Sequence, residues 1–120
     1  MVSLQLFSGV TASGPAVASD GIAATLTCSL SGVTASMLAV SGAVKWTGGD
    51  ISGDVSATNS EYTLTSGDYD TALRTRVDTF VISTAVLARL SGGSQVFTCV
   101  LTVGTSSISD THSMTAISPG

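Results

Sequence analysis

The side chains of this sequence that could do chemistry are few: Cys28 and Cys99, a single histidine (His112), a scatter of aspartates, Arg74 and Arg76, and a small set of aromatic rings. Two thiols can hold a metal, cycle as a redox couple, stay buried and free, or join. A structural metal needs four clustered ligands, and His112 cannot complete such a set without distant carboxylates. A redox pair is usually close in sequence, and these cysteines are far apart. Each sits instead inside an alternating apolar run, residues 22–28 and 95–103. That matched placement favours a disulfide, and with it an oxidising compartment.

Nucleophilic catalysis needs a base beside a Ser or Cys, with the base oriented by a third group. His112 is the only candidate, and it shares strand parity with Ile108, Met114 and Ala116. It is therefore expected to be a partly buried structural histidine. No catalytic residue is assigned, and the chain is not expected to be an enzyme. Asp68 and Asp70, with Asp50 and Asp54 elsewhere, are hard oxygen donors of the kind calcium takes. No complete calcium loop surrounds them, so they read as solvated or turn-capping residues, with no metal and no cofactor. Arg74 and Arg76 are expected to pair with nearby carboxylates. Glycan binding commonly uses exposed rings. With Trp46 and Phe97 assigned to the core, only Phe7, Tyr62, Tyr69 and Phe80 remain, a thin set.

The elements that position these residues read as strands throughout. β-like runs alternate with turn signals at the spacing of an all-β sandwich, and no helical period of useful length appears. Residues 2–7 alternate, Gly14-Pro15 breaks the pattern, and 16–18 resume it as an edge segment. After the Asp20-Gly21 turn, residues 22–30 place Ile22, Ala24, Leu26, Cys28 and Leu30 on one face. A loop over 31–41 precedes the tryptophan strand, 42–47, with Val44 and Trp46 inward and Lys45 outward. Residues 51–57 and 61–65 look like weak edge strands, and 66–75 like a polar loop. The run 77–90 is apolar on both parities, which suggests a bulged or fully buried strand. Residues 95–103 put Phe97, Cys99, Leu101 and Val103 inward, and 107–117 close the sheet.

Composition agrees. With 120 residues the chain is one domain, residues 1–120, large enough for a core. Only 10% of residues are charged, the net charge is -4, and there is no basic patch. Nucleic acid and anionic membrane surface are therefore not expected partners. No apolar stretch is long enough to span a bilayer, so this domain is not expected to insert in a membrane. Met1 is not followed by a signal-peptide pattern, and Asn59-Ser60-Glu61 is no glycosylation acceptor.

Cys28, Trp46 and Cys99, in this order and on these strands, resemble an immunoglobulin-superfamily domain. The flanks extend the likeness over about residues 2–117. Ala24 to Cys28 is similar to the family's second strand, Val44-Lys45-Trp46 to its third, and Val81 to Leu87 with Phe97-Thr98-Cys99 to its fifth and sixth. The chain departs from the family at Phe97, where a corner tyrosine is common, and at residues 91–94, which lack the aspartate of the variable-type salt bridge. Variable-type and constant-type features are mixed. The resemblance implies an all-β, immunoglobulin-like Greek-key sandwich of two antiparallel sheets, about 7–9 strands, pinned by a Cys28–Cys99 disulfide with Trp46 and Phe97 in the core.

It also implies an extracellular recognition module of a cell-surface adhesion molecule or immune-type receptor. The partner would be a protein, another immunoglobulin-like domain or a second copy of this one. Alternatives are a structural spacer of a larger ectodomain and a glycan-binding module. Strand parity nominates a contact face. Ala43, Lys45, Thr47, Val96, Thr98, Val100 and Thr102 point outward, with Lys45, Thr47, Val96, Thr98 and Val100 as the candidate site. Solvated antiparallel faces usually carry more charge.

Overall fold

The computed structural model describes residues 9–19 and 21–117. The expected strand at 2–7 and residue Asp20 lie outside them. Among the described residues eight strands form two four-stranded sheets. The first contains β1 (Gly9–Ser13), β3 (Ala24–Ser31), β6 (Thr75–Ile82) and β5 (Tyr62–Thr65), in that order across the sheet. The second runs β2 (Val17–Ser19), β8 (Ser106–Ile117), β7 (Ser94–Val103) and β4 (Val44–Gly48). Every pairing is antiparallel except β2 with β8, which is parallel. The two sheets form a sandwich, with the chain's first stretch divided between them as β1 and β2.

The division has a local cause. Gly14-Pro15 interrupts the ladder because proline has no N–H to donate. The chain leaves the first sheet after Ser13 and joins the second at Val17. Two inward side chains of β8 span the handover. Asp110 Oδ2 accepts the Ala12 N–H at 2.7 Å, and His112 Nε2 lies 2.7 Å from the Pro15 carbonyl oxygen. His112 is half-buried between the sheets, and its structural role is to hold the divided strand.

Two short helices occupy positions read as strand or loop. The run over 77–90 is a strand followed by α2 (Thr84–Leu90). Ser83 caps α2 by accepting the Val86 N–H at 3.3 Å. Val86, Leu87 and Leu90 are buried on one helical face, while Asp78, Phe80 and Ile82 are buried on one strand face. Mixed parity thus records a change of period at Ser83 rather than a bulge. Within the loop at 31–41, α1 (Ala35–Leu38) makes one turn capped by Thr34.

Further corrections are local. Ile22 is 72% exposed, because β3 begins only at Ala24. Residues 51–57 form no strand, only an isolated bridge between Val55 and Trp46. Ala43 lies before β4 begins and is buried, not outward.

Cys28 on β3 and Cys99 on β7 form the disulfide that joins the sheets, with Cα atoms 6.2 Å apart. Trp46 pairs with Cys99 in register, and Trp46, Phe80 and Phe97 are fully buried around the bridge. Next to this core the backbones crowd. Gly48 has φ of +107°, and a Cβ there would meet the Val96 carbonyl oxygen at 2.0 Å, so only glycine fits.

Candidate protein-contact face

The register of the second sheet arranges its outer face in rows. Lys45 faces Val100, which faces Ser109. Thr47 faces Thr98, which faces Thr111, and Val96 faces Ser113. Val96 is 48% exposed, while Lys45, Thr47, Thr98 and Val100 are half-buried by their neighbours. The predicted residues therefore do converge on one surface. Its single charge is compensated, since Lys45 Nζ lies 3.3 Å from Asp54 Oδ2. Val17 joins the same face through its pairing with Thr115, and it is 53% exposed. Periodicity could not have assigned Val17, because the sheet it joins is decided by pairing with β8.

Among the described residues the opposite sheet is just as free of charge on its outer side. Ser13, Thr27, Thr79 and Thr65 make a hydroxyl row across all four strands. Low charge alone therefore does not single out one face. The second sheet differs in its outward valines, Val17, Val96 and Val100, against Val77 and Val81 on the first.

Two edges of the sandwich are closed by the chain itself. On β5, Asn59 Oδ1 accepts the Tyr62 N–H at 2.9 Å, and the Asn59 N–H donates to Tyr62 O at 2.9 Å. Thr58 Oγ1 accepts from Leu64 N at 2.9 Å and donates to Leu64 O at 3.1 Å. On β4, Val55 exchanges both backbone bonds with Trp46, and the Ile51 N–H donates to Gly48 O. Strand addition at β4 or β5 is blocked at these groups, so contact there falls to the faces and loops.

Asp50, Asp70 and Arg76 are absorbed into structure, whereas Arg74 is exposed and forms no ion pair among the described residues, contrary to the expected pairing. Asp50, at the turn after β4, receives the Arg89 Nε–H at 2.7 Å and the Tyr62 hydroxyl at 3.2 Å. Arg89 also donates to Glu61. An ion cluster thus ties α2 to β5 and the β4 turn. Hydrogen bonding to Arg89 holds the Asp50 carboxyl below the ordinary aspartate value. Asp70 Oδ1 caps its own loop by accepting the Ala72 and Leu73 N–H groups. Arg76 pairs with Asp78, both inward on β6. They line a cleft of about 320 Å³ between β4 and β5, with Val44, Trp46 and Leu64.

Among the described residues no group of three or more His, Cys, Asp or Glu side chains could hold a metal. Tyr62 and Phe80 are buried, and the Tyr69 hydroxyl donates to Val33 O at 2.6 Å. These three rings are thus engaged inside the fold, and Phe7 lies outside the described residues.

No family model, curated protein or solved structure matches this chain. Among the described residues, no helix is long and apolar enough to cross a membrane.

Burial pushes the Tyr62 phenol up to about 12, and the Asp50 charge adds to the shift. Folding therefore favours the neutral phenol. This stabilisation is fully present below pH 10 and is lost as pH rises from about 10 towards 12. Ultraviolet-monitored alkaline titration should show one phenol ionising near pH 12. Asp50→Asn should lower that midpoint without restoring the ordinary value, because burial is the larger cause. A midpoint unmoved by the substitution would remove Asp50 from the cluster. The Asp50 contribution has the opposite sense: it is present above the ordinary aspartate value and is lost as pH falls through the lowered one.

Proposed function

We propose that this chain is an extracellular immunoglobulin-like recognition domain, of an adhesion molecule or immune-type receptor, that binds protein without catalysis. The observation that carries the reading is the set of outward valines Val17, Val96 and Val100 standing among hydroxyl side chains on the outer face of β2, β8, β7 and β4. Closed edges on β4 and β5 support contact through a face. The Cys28–Trp46–Cys99 core and the strand order support membership of the immunoglobulin superfamily. The disulfide supports an oxidising, extracellular setting. The partner is another immunoglobulin-like domain, with a second copy of this chain as the first to test.

Sedimentation equilibrium over a concentration series is the direct experiment. The expected result is reversible association that Val96→Asp with Val100→Asp weakens by about tenfold or more, since each burial of a valine contributes ~1.5 kcal/mol or above. Val77→Asp, on the opposite face, should leave it unchanged. Equal loss from both faces, or no effect of the paired substitution, would reject this face. A monomer at every concentration would instead favour the spacer reading, which the hydroxyl-covered surface of the first sheet also suits.

A further inference from the structure

Three aromatic rings lie in one stack beside the disulfide. Trp46 and Phe80 have ring centroids 4.6 Å apart with planes 8° from parallel. Phe80 and Tyr62 follow at 5.1 Å, again 8° from parallel. At one end, Trp46 is the inward register partner of Cys99, half of the Cys28–Cys99 bridge. Such cross-strand partners have Cβ atoms about 5 Å apart. At the other end, the Tyr62 hydroxyl donates to Asp50 Oδ1 at 3.2 Å. An electron acceptor, an oxidisable indole, a bridging ring, a phenol and a proton-accepting carboxylate therefore stand in sequence. All three rings are buried, so charge on Trp46 has no direct route to solvent.

We propose that this stack is a relay that drains oxidising charge from Trp46 to Tyr62, independently of what the outer face binds. Excited by near-ultraviolet light, Trp46 gives one electron to the disulfide. This produces an indolyl radical cation and a disulfide radical anion. Tyr62 then returns one electron to the indole across Phe80, and its phenolic proton passes to Asp50. The products are ground-state Trp46, a neutral tyrosyl radical and a neutral Asp50 carboxyl. Phe80 is neither oxidised nor reduced. Return of the electron from the disulfide and of the proton from Asp50 restores every group, so the cycle spares the buried indole from lasting oxidation.

Flash photolysis of the folded, oxidised protein tests this. The disulfide radical anion should appear first, and the indolyl radical cation should decay as a tyrosyl signal rises. Tyr62→Phe keeps the ring stack and should abolish the tyrosyl signal, prolonging the indolyl radical several-fold. Tyr69→Phe should change nothing. Asp50→Asn should slow tyrosyl formation several-fold, with the disulfide anion signal retained as proof that the first step is intact. The proposal is overturned by a tyrosyl signal that survives Tyr62→Phe, by its absence in the unaltered protein, or by failure of the disulfide anion to form.

Discussion

Replacing Cys28 and Cys99 together with alanine should lower the free energy of unfolding by about 4 kcal/mol. The bridge spans a sequence separation of 71, so its loss frees a long loop in the unfolded chain. Domains of this kind are stable by only ~5–15 kcal/mol, so the change is a large share of the total. Both cysteines are fully buried, and a further loss from the vacated volume adds to the entropic one. Equilibrium denaturant unfolding of the two proteins, at matched pH, measures the difference. A change below about 1 kcal/mol would mean that the sheets are held by packing alone.

Asp78→Ala should cost ~3–5 kcal/mol, because it leaves the Arg76 guanidinium inside the sandwich without its carboxylate. Arg76 Nε and Nη2 donate to the two oxygens of Asp78 at 2.7 and 2.6 Å, and the side chains are only 13% and 7% exposed. Asp78 also accepts the Gly67 N–H at 3.2 Å, a bond the substitution removes as well. Arg76→Met combined with Asp78→Leu removes both charges and fills the space with apolar side chains. That double variant should be closer to the unaltered protein than Asp78→Ala is, since a matched apolar pair is often neutral or stabilising relative to a buried ion pair. Denaturant unfolding of single and double variants reads out the coupling. Simple additivity of the single-variant costs would show that the two groups do not depend on each other.

Strand parity made much of this fold legible. Alternation over β3 and β7 placed Cys28, Leu26, Phe97 and Leu101 inward, and all four are buried. The same rule oriented Lys45, Thr47, Val96, Thr98 and Val100 outward on one sheet. Parity failed where the period changed. Val86, Leu87 and Leu90 follow a helical spacing that begins at Ser83, so a strand rule applied across that cap gave no consistent face. It also failed at element ends, where Ile22 and Ala43 lie outside their strands and no longer obey the alternation.

The ion clusters were harder. Arg76 and Asp78 are two apart on one strand and share a face, so their pairing was accessible from alternation once the strand was placed. Arg89 with Asp50 and Glu61 was not, because these residues come from α2, the turn after β4 and the segment entering β5. The neutrality of the first sheet's outer face was likewise hidden until β1, β3, β6 and β5 were brought side by side.

By itself, the sequence determined which residues alternate inward, that two cysteines and a tryptophan lie on core faces, and that little charge is available for any surface. These are local properties, set by the two-residue period of a strand and by composition. Tertiary structure alone decided which strands are neighbours. It placed β2 beside β8, divided the first strand at Gly14-Pro15, stacked Trp46, Phe80 and Tyr62, and put Val17 on the face with Val96. The reason is that pairing between strands distant in the chain depends on register and on burial shared by both partners, and no single segment encodes either one.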